Sequence, residues 1–375
     1  MNRDTVREPA GTTRGAGVRG PGRVDFGYAS RSVRCRWFSA RLGVRQTAVT
    51  ATLFLVALVL AVVALRFGDY ELTIGEVVAA LTGSGAEFPR TVVVQWRLPV
   101  VTAALVFGAL LGVGGAVFQS LTRNPLGSPD VIGFDAGSYT AVLLSLLVFG
   151  GGAYWSVAGA AVAGGLATAF LVYVLAHRRG VQGFRLIIVG IGVSALLGSV
   201  NAYLISRADL TDAMTVGFWG AGSLTRVTWN GMALSLAVTV LIVLAAALLA
   251  PSLRHLELGD DAAVTQGIRV GAVRPALLVV GVATTALVTA AAGPIGFVAL
   301  VAPQLARRLT RSPGVRLLPA AAMGAALLSA AHVLALLVAR SYRPVPVGLI
   351  TVCLGGLYLI RLLVHESRRQ YGAPR

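Results

Sequence analysis

An all-α polytopic membrane protein of about ten transmembrane helices is the fold class this sequence predicts, and three observations predict it. The 375 residues are 56% hydrophobic and only 13% charged, too apolar to cover a soluble domain with a polar surface. Apolar runs of about 20 residues, the length that crosses a bilayer core, recur along most of the chain. The basic residues, all of them arginine, fall mainly on one side of those runs.

The elements follow in order. Residues 1–46 are rich in Arg, Gly and polar residues without an apolar period, and they read as a disordered basic cytoplasmic tail. They are too long and too basic for a typical cleaved signal, so the first apolar run is expected to stay as a helix. The membrane-spanning body covers 47–366, with candidate helices over Thr47–Leu65, Leu98–Leu121, Val131–Phe149, Ala153–Ala176 and Leu186–Ile205 in its first half. Its second half carries Gly231–Ala250, Pro275–Ala292, Ile295–Leu309, Leu317–Ala339 and Val345–Val364. The breaks at Gly150–Gly152 and Gly293-Pro294 are short and glycine-rich, so each is a turn between helices or a kink within one. Residues 367–375 read as a C-terminal cytoplasmic tail.

Assigning alternate loops to the two sides places 25 of the 32 arginines on one of them, together with both ends of the chain. Basic residues near helix ends stay in the cytoplasm, so both termini are expected inside, as an even number of spans permits. That bias and the anionic lipid of the inner leaflet account for the net charge of +17, and no nucleic-acid partner is called for. Cys35 lies in the tail and Cys353 in the last run, so neither a disulfide nor a metal site is implied. No cofactor is expected either. There is no GxxxxGKS or GxxxxGKT phosphate loop, so the chain has no ATP site of that kind and is not expected to be an enzyme. An ion-driven carrier would place carboxylates or histidines within several spans, and only His332 and Asp135 stand in or near apolar runs.

The most distinctive passage is Arg97–Gly137, where a helix without ionisable groups runs into a loop holding Arg123, Asn124, Pro125, Ser128, Pro129 and Asp130. Two prolines and a glycine within five residues give this loop a fixed turn, which is expected outside the hydrocarbon. Arg97-Leu98-Pro99, Gly115, Gln119, Asn124-Pro125-Leu126, Pro129-Asp130 and Gly133 match a pattern of RLPR, a Gly/Ala-rich helix ending in GxxxQ, and NPLAxPDxLG. On these residues the chain resembles the FecCD/BtuC-type permease subunits of ABC importers for iron-siderophore complexes and vitamin B12. The wording RNPLGSPDVIGF is most similar to the enterobactin-type branch, and the likeness leaves out only the first ~50 residues.

Between Pro251 and Arg274 the sequence LELGDDAAVTQGIRVGAVRP places Asp260 and Asp261 after Gly259 and before a short apolar stretch, as in the first turn of a helix that Gly267 ends. Spacing alone fits a capped surface helix. The resemblance implies a coupling helix seated in a groove of the ATPase subunit, on Leu258, Gly259, Asp260, Asp261, Ala263 and Gly267, with Val264 and Thr265 where bulkier residues are usual. On the outer side it implies that Arg97 docks the substrate-binding protein, although an arginine snorkelling at a helix end would look the same. The family's next arginine is replaced by Val100, and Arg340 and Arg343 near the last outer loop are further docking candidates.

Gly293-Pro294-Ile295-Gly296-Phe297, continuing to Pro303, resembles GxIGFVGLxxPHxxR, with Ala299 and Gln304 as departures. Gly-Pro-x-Gly cannot be regular helix, so it marks either a re-entrant corner on the pathway or a packing turn. Gln119, Ser194 and Asn201 are polar groups for a lumen or for interhelical hydrogen bonds, and Gly108 with Gly112 forms a small-xxx-small packing pair.

The resemblance implies a permease in the cell membrane that carries an iron(III)-siderophore, enterobactin-like, without covalent chemistry of its own. Implied partners are a second permease subunit, in a heterodimer, two ATP-binding cassette ATPase subunits and an extracytoplasmic substrate-binding protein. A vitamin B12 or haem importer uses the same scaffold. An ion-coupled secondary transporter is the alternative from another class, and a membrane protein without transport activity is a third.

Overall fold

Length and polarity decide which of the ten apolar runs become full crossings. The structure, a computed structural model, describes residues 30–35, 38–130, 132–151, 154–176, 183–341 and 343–371. Of the expected tails, residues 1–29 and 372–375 lie outside the described residues, as do Arg178 and Arg179 of the arginine count. Each of the ten runs coincides with a helix: α1 Val44–Arg66, α4 Leu98–Thr122, α5 Phe134–Leu143, α6 Tyr154–Ala176, α7 Gly183–Arg207, α9 Trp229–Glu257, α11 Val270–Ala292, α12 Val298–Thr310, α13 Leu317–Ser341 and α14 Val347–Tyr371. The remaining helices are α2 Ile74–Thr82, α3 Glu87–Arg90, α8 Leu210–Gly220 and α10 Asp260–Thr265. Among the described residues seven helices are long and apolar enough to cross a bilayer. The other three runs form the shorter apolar helices Phe134–Val148 and Val347–Leu362, the latter the apolar part of α14, and the 13-residue α12.

In place of an unstructured segment, Ser30–Cys35 (β1) and Phe38–Gly43 (β2) pair as an antiparallel ribbon in the register Ser30 to Gly43 and Cys35 to Phe38. The cue was a period-two alternation, Val33 and Cys35 followed by Phe38, Ala40 and Leu42, which the density of arginine obscures.

Within residues 46–375 the helices form an inner and an outer set. In the most apolar windows, 72% of the α3–α4 stretch, 67% of α13 and 61% of α11 is buried, against 22–28% for α1, α6, α7 and α9. Composition explains the difference. In an apolar solvent helices gain little from burying leucine, so close approach of backbones must hold them, and small residues permit it. A side-chain carbon built on Gly108 or Gly112 would lie 2.5 or 2.1 Å from the carbonyl oxygens of Gly324 or Ala320 on α13. On its other flank α4 meets α12, where the same carbon at Gly115 would lie 1.7 Å from the carbonyl oxygen of Ala299. α4 is thus held on two sides with no room for a methyl group.

The stretch before α4 winds as a π-helix over Thr91–Arg97, which leaves the carbonyl of Val94 to accept the indole N–H of Trp229 at 2.7 Å. α2 begins with a capping box in which the Thr73 hydroxyl and backbone N–H share the Glu76 carboxylate, while Glu76 N–H donates back to Thr73 Oγ1.

Candidate functional site

Two interrupted crossings meet inside the helix bundle. α5 with its π-helical end runs over Phe134–Val148 and α12 has 13 residues, so at 1.5 Å per residue each covers roughly 20 Å of a hydrocarbon core near 30 Å. The chain leading into each must therefore reach bilayer depth without being helix, which is tolerated only where protein covers the backbone. The loop after α4 meets this condition. Asn124, Pro125 and Leu126 remain accessible, but Gly127, Ser128, Pro129 and Ile132 are buried, and Ile132 lies against Gly190 of α7. Part of this loop is therefore packed against the helices.

The segment leading into α12 supplies the other half. Gly293 takes φ 75°, and a side chain there would strike the Trp219 carbonyl at 2.4 Å. Phe297 is itself left-handed, at φ 68°, and its N–H donates to Asp130 Oδ2 at 2.9 Å. A positive φ in a bulky residue persists only where its surroundings fix it, and the Asp130 carboxylate is one such constraint. Nearby, Asp135 Oδ1 accepts Thr289 Oγ1 of α11 at 2.9 Å. Gly296 faces Val352 of α14, and Pro294 presents its carbonyl to Gly222.

Gln119 and Gln304 bind α4, α12 and the loop to one another. The Gln119 side-chain amide donates to Leu300 O at 2.8 Å, and that of Gln304 donates to Pro125 O at 2.8 Å. Gln119 thus makes an interhelical hydrogen bond. Ser194 donates to Gly190 O of its own helix and packs against Gly133. Asn201 is buried on α7, and its Oδ1 has no hydrogen-bond partner among the described residues.

On the arginine-rich face the turn into and the turn out of α10 both use positive φ, 122° at Gly259 and 81° at Gly267. Ala263 is fully buried, whereas Leu258 and Val264 are 68% and 59% exposed, so α10 presents apolar side chains outward. Asp260 does not face outward alone. Its Oδ1 accepts Arg123 at 2.5 Å and Arg274 at 2.7 Å, and Arg123 Nε also donates to Leu256 O. Burial by itself would raise the Asp260 pKa, but the hydrogen bonds and charges of Arg274 and then Arg123 hold it below the usual carboxylate range. Next to it, Glu257 Oε1 accepts Ser120 Oγ at 2.6 Å and Val315 N–H at 3.2 Å. The loop after α4 and the α10 segment, 137 residues apart at this ion pair, are therefore one assembly. Arg123, Arg274 and Glu257 were not singled out in the sequence as site residues, because an ion pair at that separation leaves no local spacing to read.

On the opposite face Arg97 is half-buried and turned inward. Its guanidinium donates to Leu65 O at 2.8 Å, to Arg66 O at 3.2 Å and to Tyr70 O, fastening α4 to the end of α1. A cavity of about 310 Å³ beside it is lined by Phe67, Tyr70, Phe88, Trp96 and His332 among others. Arg340 pairs with Glu71 at 2.7 Å in the open, and Arg343 is exposed. Replacing Arg97 with alanine leaves three backbone carbonyls without their donor, at about 1–3 kcal/mol for each one that water cannot reach. The expected result is a lower melting temperature of the purified protein in detergent, with Arg97→Lys only partly restoring it. An unchanged melting temperature would assign Arg97 to the surface alone.

The comparisons with known proteins run nearly the whole length of the chain. The model of the FecCD transport family matches residues 54–365. The ferric enterobactin transport system permease protein FepG of Escherichia coli K12 is 46% identical over 327 residues, covering 87% of this chain and 98% of that protein. The iron(3+)-hydroxamate import system permease protein FhuG of Bacillus subtilis is 34% identical, covering 85% and 97%. Among solved structures, an inward-facing conformation of a metal-chelate type ABC transporter superposes with a TM-score of 0.71 at 25% identity, covering 85% of this chain and 99% of its own.

Proposed function

The chain belongs to the FecCD transport family, and from that premise we propose that it serves as the membrane-spanning permease subunit of an ATP-driven importer for iron(III)-siderophore complexes of the enterobactin class. The observation that carries this reading is the 46% identity to FepG across nearly the full length of both chains. The chemistry of the cargo is left untouched, and ATP is hydrolysed by a partner ATPase.

In the assembly we infer, a second permease subunit, similar rather than identical, completes the pathway, two ATPase subunits dock on the arginine-rich face, and a binding protein delivers cargo to the other. The exposed apolar side chains of α10 support its use as the coupling helix, with Asp260 acting through its two arginines rather than by direct contact. The arginine bias supports placing both termini in the cytoplasm, with an even number of crossings. The basic tail then lies beside anionic lipid. The two short helices joined at Asp130 and Phe297 are the proposed pathway elements, with Gly293, Pro294 and Gly296 shaping the corner, Ser194 on α7 against Gly133, and Asn201 further along α7 as a further candidate. Arg340 and Arg343 are better placed than Arg97 to meet a binding protein, since Arg97 is committed to α1.

Uptake of labelled ferric enterobactin in cells lacking this chain tests the reading. Uptake is expected to disappear and to return with the wild-type chain supplied together with its partners. Undiminished ferric enterobactin uptake, with loss of vitamin B12 or haem entry instead, would overturn the cargo. Transport by the reconstituted chain alone on a salt or pH gradient would overturn the mechanism.

A further inference from the structure

Beside α10, the ends of α4 and α12 and the residue Glu257 enclose a cavity of about 610 Å³ that opens on the arginine-rich face. Arg307, Arg308 and Arg311 line it and all three are exposed. Glu257 is the lone carboxylate in the lining, and its Oε1 is already occupied by Ser120 and Val315. Among the residues whose side chains are described, no carboxylate lies within ion-pair distance of any of the three arginines. Three guanidinium groups around one concave polar surface raise its potential and favour an anion that can be gripped by paired N–H donors.

The surroundings decide which anion. Arg123 both lines the cavity and holds Asp260, so the cavity is continuous with the α10 surface. A body large enough to cover Leu258 and Val264 reaches the cavity rim as well. The wall mixes the polar side chains of Gln119, Asn124 and Gln304 with Pro125, Pro313 and Val315, and it offers no long apolar side chain against which an acyl tail would lie. We propose that the cavity receives an acidic segment of the ATPase subunit, a second anchor next to the coupling helix. This rests on the reading of the chain as an ABC permease and adds to it a surface of stated charge.

The test uses the whole importer in nanodiscs, with and without anionic lipid, carrying a photo-crosslinking residue at position 311. The expected product joins the permease to an Asp/Glu-rich peptide of the ATPase, whichever lipid is present. In parallel, Arg307→Gln/Arg311→Gln is expected to bind the ATPase about tenfold more weakly, a change of roughly 1.4 kcal/mol, while Arg307→Lys/Arg311→Lys retains most of the affinity. Crosslinks to lipid alone, or ATPase binding by the glutamine variant equal to wild type, would overturn the proposal. If wild-type permease holds no ATPase at all, the functional reading falls and this inference falls with it.

Discussion

Substituting Gly115 with leucine is expected to remove the folded protein from the membrane. The first carbon of any side chain there lies 1.7 Å from the Ala299 carbonyl oxygen and 2.6 Å from its carbon, so the backbone of α12 must move. It has little freedom to do so, because Phe297 at its start is tied to Asp130 and Gln119 grips Leu300 one residue beyond Ala299. α4 cannot withdraw either, since Gly112 and Gly108 sit against α13 with the same lack of space. Overpacking usually costs about 1–3 kcal/mol where side chains can yield, and here the obstacle is backbone on both flanks, so the cost exceeds that range. Size-exclusion of a fluorescently tagged protein from membranes measures it. Gly159→Leu is the control, because nothing lies within 4 Å of that position. A monodisperse Gly115→Leu protein with an undiminished melting temperature would refute the packing argument.

Reversing the charge of Asp260 is expected to cut uptake about tenfold or more, the effect of roughly 1.4 kcal/mol at a transport-limiting step, while the protein still folds. Arginine at this position faces Arg123 and Arg274, so two attractions become two repulsions. Each pair contributes only about 1 kcal/mol or less where water reaches it, which is why the fold survives and the position of α10 does not. Asp261→Arg, at a residue with no ion pair among the described residues, is expected to do less. ATPase activity of the assembled complex separates the two variants, and equal effects at both positions would show that surface charge rather than the Arg123–Asp260–Arg274 tie is what matters. The sign of any pH dependence follows from the depressed pKa of Asp260. Such a carboxylate contributes fully above its ordinary value of 3.8 and loses its contribution as pH falls through the lower folded value. Wild-type coupling should therefore show no dependence on this group between about pH 5 and pH 8.

How much of this was legible in the sequence depended on the range of the interaction. Helix positions were readable because hydrophobicity is summed locally: all ten apolar runs became helices, with ends displaced by up to seven residues. The length of each helix was not, because Phe134–Val148 and Val298–Thr310 are shorter than a bilayer's thickness and the chain leading into them is covered only by tertiary contacts. The loop after α4 was read from its prolines as a fixed turn, but that Gly127, Ser128, Pro129 and Ile132 are buried was not legible, because the neighbour of Ile132 is Gly190, 58 positions further on. Arg97 was read as a rim charge, yet its partners are three carbonyls about 30 residues away, and carbonyls leave no trace in composition. The alternation in residues 30–43 was present but was outweighed by charge.

The hydrogen bond between Asp130 and Phe297 has a further consequence. In the pathway proposed above, the junction of the two short helices is a contact between two chain segments and not the unbroken cylinder of one helix. A cylinder would have to bend or unwind before anything passed it. A seam between segments can part and close again without unwinding a helix, which is the property such a pathway would need.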